Sequence, residues 1–188
     1  MGHNRAVIYA LSVSLDGYIE GPDGKIDWSL PDEELHEHFN QQEKEVDVHL
    51  YGRGLYENMS GYWPTALHNP EASKEELDYA RLWLDMRKVV FSRTLKQVDW
   101  NATLAGEDIA GEVARLKEEP GRSLSVGGSG LAASFLKLDL IDEYHMYVFP
   151  VILGGGKRMY PALSVSKKLK LADTQVFRSG VVRLRYTR

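Results

Sequence analysis

Cysteine is absent from the 188-residue chain, which excludes a disulfide framework, a thiolate metal site and a catalytic thiol. Long apolar runs are also missing, and no stretch approaches the roughly 20 residues needed to cross a bilayer. The first residues, MGHNRAVIYA, lack the charged region, apolar segment and cleavage site of a signal peptide, and Ala6 departs from the myristoylation pattern. We therefore expect a cytoplasmic protein without a membrane partner.

An excess of positive charge is lacking as well. The chain has 23 basic and 27 acidic residues, for a formal net charge of −4. Nucleic acid is not an expected partner, since binding its phosphates requires clustered cations. Apolar residues make up 43% of the chain and charged residues 27%, a composition typical of a globular protein. We expect a single domain over residues 1–188.

Strand-like and helix-like segments alternate along the chain. Strands are predicted at residues 5–13, 46–51, 88–92, 123–126, 144–153, 168–177 and 181–186. Helices are predicted from about 31 to 45, near Leu55, and at 73–84, 106–117 and 131–138, with a loop through residues 62–64. This alternation indicates crossover connections and a largely parallel sheet. The last two strands, separated by Arg178, Ser179 and Gly180, predict an antiparallel hairpin, with Val182, Leu184 and Tyr186 facing the core and the intervening arginines facing water.

The glycine-rich segment LGGGKR is not a Walker loop. Arg158 follows Lys157 where that loop needs serine or threonine, and Val151 stands where it needs a glycine. The glycines are typical of a flexible strand exit. Lys157 and Arg158 are nevertheless candidates for binding an anionic substrate.

A second glycine segment, SVGGSGLAAS, follows an apolar strand and opens a helix. Gly128, Gly130 and Ala133 fit the spacing G-x-G-x-x-A of a dinucleotide-binding turn, in which free N–H groups face a phosphate. A tight turn without a ligand explains the same residues. The acidic residue that binds a ribose hydroxyl in the standard Rossmann arrangement is missing from the next strand.

Three predicted strands end in residues suited to phosphate. These ends are Gly52-Arg53-Gly54, Ser92-Arg93-Thr94 and Gly127-Gly128-Ser129-Gly130. Ligands of open α/β sheets lie beyond the carboxyl ends of the strands, and arginine forks match phosphate oxygens. Solvated loop charges would explain each end separately. Together they favour an extended ligand with a further phosphate, as in NADP.

Several segments together resemble the dihydrofolate reductase superfamily, in the branch that contains the reductase domain of riboflavin biosynthesis. They are VIYALSVSLDGYI, DWSLPDEE, YGRGLYE, FSR, VGGSGLAASFL and DEYHMYVFPVILGGGKRMYPAL, which cover nearly the whole chain. The resemblance implies a three-layer α/β fold with a mixed, mostly parallel sheet and a C-terminal antiparallel hairpin. It also implies an NADPH-dependent reductase similar to 5-amino-6-(5-phosphoribosylamino)uracil reductase.

The resemblance assigns roles to particular residues. Ala10 and Ile19 would flank the nicotinamide, and Gly127 to Leu131 would face the pyrophosphate. Arg53 and Gly54 would meet phosphate, and Ser92 and Arg93 the 2′-phosphate. Gly52 and Thr94 belong to the same strand ends and are included in the expected cofactor site.

The resemblance also assigns residues to the substrate side. Glu33 aligns with the carboxylate that assists protonation in dihydrofolate reductases, and the neighbouring Asp32 would replace it after a one-residue slip. Acids at a helix start are equally explained as caps or dipole partners. Trp28 is a candidate wall for a heterocycle, although tryptophan is commonly part of the core. His36 and His38 would lie on different faces of a helix, so no metal site is expected.

Departures from the family bear on the substrate, which we expect to be a small polar heterocycle, with or without a phosphate, and not a folate with a glutamate tail. Leu55 replaces a threonine of the first turn, residues 58–61 lack an Asp-Asp-Pro segment, and Arg87 matches the folate-gripping arginine only loosely. Dihydrofolate reductase is the alternative enzyme, and a nucleotide-binding module without turnover is the alternative outside enzymes.

A homodimer built near the C-terminal strands is expected.

Overall fold

Residues 5–188, which the computed structural model describes, form ten β-strands, five α-helices and one short 3-10 helix, Asp27–Ser29. The strands are β1 (Val7–Ser14), β2 (Tyr18–Glu20), β3 (Val46–Gly52), β4 (Arg87–Phe91), β5 (Ala102–Ala105), β6 (Ser123–Gly127), β7 (Glu143–Phe149), β8 (Lys157–Arg158), β9 (Lys170–Val176) and β10 (Val182–Thr187). The helices are α1 (Glu33–Glu43), α2 (Arg53–Ala66), α3 (Lys74–Asp85), α4 (Ile109–Glu118) and α5 (Ser129–Lys137).

Eight strands form one mixed sheet in the order β5-β4-β3-β6-β1-β7-β10-β9. The pairs from β5 to β7 are parallel, whereas β10 runs antiparallel to both β7 and β9. The predicted mostly parallel α/β sheet with a C-terminal antiparallel hairpin is therefore confirmed. Strands β2 and β8 form a separate antiparallel ribbon.

The alternation of side chains along the strands produces three layers. In β1, Val7 and Tyr9 are buried in the cluster that contains Phe135 of α5, whereas Ala10 packs with the cluster around Leu35 of α1. Successive side chains of a strand point to opposite faces of a sheet. Helices α4 and α5 therefore cover one face, and α1, α2 and α3 cover the other.

The predicted loop at residues 62–64 is wrong, because α2 continues to Ala66 with Pro64 inside its last turn. A proline inside a helix costs about 3 kcal/mol, since it removes a hydrogen bond and crowds the preceding turn. Packing against α3 offsets that cost. The Trp63 ring lies 4.4 Å from the Tyr79 ring, and the Tyr62 hydroxyl donates to Glu76 Oε1 at 3.1 Å.

Strand β7 is shorter than predicted. It ends at Phe149, because Pro150 has no N–H for the ladder and residues 151–153 leave the sheet. The carboxylate of Asp16 then accepts hydrogen bonds from the backbone N–H groups of Leu153 (3.1 Å) and Gly154 (2.7 Å). This contact holds the LGGGKR segment against the loop that follows β1.

The prediction that Arg183 of β10 faces solvent is also wrong, whereas the Arg185 side chain is 40% exposed. Arg183 is only 7% exposed and forms an ion pair with Asp173 of β9. It lies opposite Tyr147 in the ladder, on the face that Phe39 of α1 covers. Sequence alternation alone did not reveal that a helix covers this side of the hairpin. Three short strands, β2, β5 and β8, were not predicted because none has an extended apolar run.

Lys88 is a buried cation near the start of β4, next to the edge strand β5. Its side chain is fully shielded, with Nζ donating to the carbonyl oxygens of Met86 at 2.6 Å and Trp100 at 2.8 Å. The ammonium lies 4.3 Å from the centre of the Trp83 ring. Burial lowers the pKa of Lys88 to about 8, with Asp85 acting in the opposite direction.

Candidate functional site

The three strand ends singled out in the sequence lie side by side in the structure. Gly52 at the end of β3 is opposite Phe91 at the end of β4, and Tyr51 is opposite Gly127 at the end of β6. We call this row of turns the carboxyl edge. It brings together residues 52–54, 92–94 and 127–131.

Side chains at the carboxyl edge contact one another across the turns. Arg53 Nη1 donates to Thr94 Oγ1 at 2.9 Å, and Arg53 Nε pairs with Glu57 at 2.9 Å. The hydroxyl oxygen of Ser92 accepts from the Thr94 backbone N–H at 3.2 Å, which shapes the turn after β4. Arg93 is 82% exposed and 3.8 Å from Glu107, so its guanidinium is accessible from solvent.

The glycine turn between β6 and α5 depends on its glycines. Gly128 has a φ of +86°, a conformation that side chains disfavour. A Cβ on Gly127 would lie 2.6 Å from Leu55 Cδ2, so α2 packs directly against this turn. By contrast, nothing lies within 4 Å of a Cβ built on Gly54 or Gly130, in the first turns of α2 and α5.

The carboxyl edge therefore fits a dinucleotide with an additional phosphate. The first turns of α2 and α5 present backbone N–H groups, and their dipoles favour anions. Arg53 and Arg93 add guanidinium groups, which match phosphate oxygens, and the hydroxyls of Ser92 and Thr94 add further donors. The open space at Gly54 and Gly130 leaves both backbones accessible to a ligand.

A cavity of about 840 Å³ lies between the sheet and the helices α1, α2 and α3. Its volume is within the range of ligand pockets. The floor includes Ala10 of β1 and Ser125 of β6, and Ser125 precedes the glycine turn by two residues. The lining residues are Ile8, Ala10, Leu11, Ser12, Ile26, Leu30, Pro31, His36, Phe39, Gln42, Glu43, Glu45, Val46, Tyr62, Trp63, Ser73, Glu76, Tyr79, Ser125, His145 and Tyr147.

Aromatic rings form much of the wall of this cavity. Tyr62 and Trp63 come from the last turns of α2, Tyr79 from α3 and Phe39 from α1. Tyr147 of β7 contributes from the floor, where its hydroxyl lies 3.1 Å from Nε2 of the neighbouring His38 and burial raises the pKa of Tyr147 to about 12. Flat apolar walls of this kind suit a planar ring.

Polar groups of the cavity have distinct partners. Burial lowers the pKa of His36, although Glu76 and Glu75 act against that shift. Glu76 closes a capping box with Ser73 at the start of α3. The Nε2 atom of His145 lies 3.1 Å from Glu143. Near pH 7 His36 therefore contributes a neutral imidazole to the cavity.

Two of the predicted cofactor residues lie away from the carboxyl edge. Ala10 is in the cavity floor, and Ile19 of β2 packs against the main core. The role of either residue beside a nicotinamide stays a prediction.

The predicted catalytic acids lie at the start of α1. Asp32 is the N-cap residue, and its carboxylate accepts from the Leu35 backbone N–H at 2.9 Å. Glu33 follows it and is exposed to solvent. Neither residue is in the cavity lining, whereas His36, one turn further along the helix, is.

The predicted substrate residues are also outside the cavity lining. Trp28 packs edge-on against Phe149, with ring centres 5.7 Å apart. Lys157 pairs with Glu20 at 3.2 Å across the β2–β8 ribbon, and the Arg158 guanidinium lies 4.9 Å from the centre of the Tyr18 ring. Roles in substrate binding for Trp28, Lys157 and Arg158 stay predictions.

Sequence reasoning missed a network under the cavity. Glu43 Oε2 lies 2.8 Å from Nε2 of the buried His49, although neither atom has a hydrogen bond of regular geometry. His49 Nδ1 lies 2.5 Å from the Tyr51 hydroxyl, to which Trp83 donates at 3.2 Å. A histidine inside the predicted strand at 46–51 was the signal available in the sequence.

No helix within residues 5–188 has the length and hydropathy needed to cross a membrane. Across the same residues, no group of three or more His, Cys, Asp and Glu side chains is arranged to hold a metal ion. His36 is in the cavity lining, whereas His38 contacts Tyr147.

The comparisons define the class of fold, which is the dihydrofolate reductase architecture. Dihydrofolate reductase from Enterococcus faecalis, complexed with NADP(H), has the same fold, with a TM-score of 0.63 at 13% identity over 100% of this chain and 99% of that chain. Residues 5–183 match the family described as the RibD C-terminal domain. The chain therefore belongs to the RibD C-terminal domain family.

Other relatives agree with this membership. The uncharacterized protein YyaP of Bacillus subtilis (strain 168) is 35% identical over 97% of this chain and 94% of its own length. A protein of Shewanella sp. PV-4 named for riboflavin biosynthesis has a TM-score of 0.78 at 25% identity, covering 97% of this chain and 98% of that chain. A diaminohydroxyphosphoribosylaminopyrimidine deaminase/5-amino-6-(5-phosphoribosylamino)uracil reductase of Thermotoga maritima shares the fold at a TM-score of 0.68 and 18% identity. The structural match covers 98% of this chain and 56% of that longer protein.

Proposed function

We propose that the protein is an NADPH-dependent reductase of a small nitrogen heterocycle, resembling the 5-amino-6-(5-phosphoribosylamino)uracil reductases. One observation carries the proposal. The Arg53 turn, the Ser92 turn and the glycine turn before α5 are neighbours at the carboxyl edge. Strand β6, which leads into the glycine turn, also contributes Ser125 to the cavity floor. Membership of the RibD C-terminal domain family supports it.

The residues of the carboxyl edge would hold the cofactor. Arg93 and Ser92 are proposed to bind the 2′-phosphate, Arg53 a further phosphate oxygen, and the turn of residues 127–131 the pyrophosphate. NADPH, when bound, supplies a hydride to the substrate. Ala10 would leave room for a flat ring at the cavity floor, because its side chain is small.

Reduction of the bound substrate also requires a proton, and the start of α1 is the proposed source. Asp32 is engaged as the helix cap, so Glu33 is the stronger of the two carboxylate candidates. His36 is on the same helix and reaches the cavity as a neutral imidazole, which can donate one hydrogen bond and accept another and so orient a substrate or a water molecule.

The proposal is tested by following NADPH oxidation with three compounds: 5-amino-6-ribosylaminouracil, its 5′-phosphate, and dihydrofolate. We expect one of the two uracil compounds to be reduced faster than dihydrofolate. Faster reduction of dihydrofolate would favour the alternative enzyme. Calorimetric binding of NADPH without oxidation by any compound would favour a nucleotide-binding module.

We also propose that the protein forms a homodimer through β9. This strand lies at the edge of the main sheet and exposes Leu171 (57%) and Val176 (72%). An exposed apolar edge strand is a surface for association. Light scattering at micromolar concentration should give a dimer mass, and the variant Leu171→Asp/Val176→Asp should give a monomer. A monomer mass for the unsubstituted protein would contradict the proposal.

A further inference from the structure

The charge of the cavity is unlike that of a phosphate site. Three carboxylates, those of Glu43, Glu45 and Glu76, are in its lining. The described residues that line it include no lysine or arginine. Binding a phosphate in a partly apolar cavity without a cation leaves its charge desolvated and unpaired, which is strongly unfavourable.

The histidines of the cavity do not supply the missing positive charge. His36 is neutral near pH 7, because burial lowers its pKa. His145 has its Nε2 atom against Glu143, whose carboxylate also pairs with Arg185 at 3.1 Å. Arg185 and the His145 imidazole are therefore both directed at Glu143 and not at a ligand in the cavity.

The cations predicted to bind a substrate phosphate are elsewhere. Lys157 pairs with Glu20 on the β2–β8 ribbon, and Arg158 stacks on Tyr18. Neither residue is in the cavity lining. The carboxyl edge does collect arginines, but those belong to the proposed cofactor site.

Glu43 gives the cavity a polar anchor of negative charge. Its Oε2 atom is buried without a regular hydrogen bond and lies 2.8 Å from His49, behind the cavity. A ring nitrogen or amino group of a ligand in the cavity can donate a further hydrogen bond to this carboxylate, because an ionised carboxylate accepts at both oxygens. The surrounding aromatic rings Phe39, Trp63 and Tyr79 suit the flat faces of such a ring.

We infer that the cavity takes an uncharged or cationic amino-substituted nitrogen heterocycle that carries neither a phosphate nor a carboxylate. This inference rests on the proposed reductase function and narrows its substrate class. It excludes a folate with its glutamate tail as well as the phosphorylated aminopyrimidine. The ring lies among the aromatic walls and donates to Glu43.

The test is calorimetric binding of matched ligands to the protein saturated with NADPH. One pair is 5-amino-6-ribosylaminouracil and its 5′-phosphate, which differ in the phosphate alone. The other is dihydrobiopterin and dihydrofolate. In at least one pair, the member without phosphate or carboxylate should bind about ten-fold tighter or more. Equal or tighter binding of the anionic members, or no binding of either uncharged member, would overturn the inference.

Charge insertion gives a second, independent readout. The variant Gln42→Lys adds a cation to the cavity lining and should increase affinity for the 5′-phosphate about ten-fold. Gln41 is exposed, precedes Gln42 on α1 and is not in the lining, so Gln41→Lys is the matched control and should change nothing. Equal effects of the two lysines would count against the inference.

The variant Lys157→Ala/Arg158→Ala addresses the competing assignment. We expect it to leave binding of the 5′-phosphate unchanged, and a marked loss would overturn the inference in favour of a phosphate site at the β2–β8 ribbon. If the protein fails to bind NADPH, that result contradicts the proposed function. The affinities of the matched ligands can still be compared without cofactor, so the inference about the cavity is tested separately.

Discussion

Replacing Arg93 with alanine should weaken NADPH binding about ten-fold or more while NADH binding hardly changes. The side chain is 82% exposed at the carboxyl edge, and its one ion-pair partner among the described residues, Glu107, is 3.8 Å away. Its guanidinium can therefore turn to a phosphate. A charge-assisted bond between arginine and phosphate that is absent from NADH accounts for a selective loss of about this size. Titration calorimetry with each cofactor measures it.

Two variants make this result interpretable. Arg93→Lys keeps the charge without the planar fork, so its NADPH affinity should fall between those of the original protein and Arg93→Ala. Arg81→Ala removes another exposed arginine, which pairs with Asp78 on α3 away from the carboxyl edge. It should bind both cofactors normally. Equal losses for NADPH and NADH in Arg93→Ala would remove Arg93 from the 2′-phosphate site.

The free energy of unfolding should rise by about 2 kcal/mol between pH 7 and pH 9.5 because of Lys88. The pKa of Lys88 is lowered to about 8 in the folded protein, against 10.5 ordinarily. Below pH 8 the lysine is protonated in both states, and the cost of burying its charge is fully present. Above pH 8 the folded state releases the proton first, so the unfolded state binds more protons and stability increases with pH.

Urea denaturation at several pH values measures this slope, and the variant Lys88→Met should lack it. The variant Lys88→Gln keeps an N–H donor for the carbonyls of Met86 and Trp100, so it separates the charge from the hydrogen bonds. Both variants should show the same flat response. The comparison ends at pH 9.5, because burial raises the pKa of tyrosines such as Tyr9, Tyr51 and Tyr79 in the folded protein. These tyrosines ionise near pH 10 only after unfolding, which lowers stability at higher pH. A rise in Lys88→Met equal to that of the original protein would rule Lys88 out as the cause.

The carboxyl edge could be predicted from the sequence, and the cavity could not. Parallel strands end at one edge of a sheet, so the segments after β3, β4 and β6 were expected to meet once the strands were identified. The cavity instead depends on how helices pack. Its residues Tyr62 and Trp63 were placed in a loop, because Pro64 ordinarily ends a helix. Their packing on Tyr79 is a tertiary effect that no local pattern contains.

The same limit applies to the charged residues of the interior. Lys88 and Arg183 are in strands, where alternation and charge predict exposure, yet both are buried. Lys88 donates to the carbonyl oxygen of Trp100, which is outside its own strand. Arg183 is buried because α1 covers its face of the sheet. Local sequence patterns describe the faces of a strand but not what lies on them.

Helix α2 begins with Arg53 at the carboxyl edge and carries Tyr62 and Trp63 in the cavity wall near its other end. A helix of 14 residues is a rod about 21 Å long. Any ligand that restrains the first turn of this rod also restrains the aromatic wall at its far end. If one bound ligand orders α2 and thereby increases the affinity for the other, the second ligand increases the affinity for the first by the same factor, because linkage between two sites is reciprocal. Small-molecule screens of the cavity are therefore best run with the nucleotide already in place.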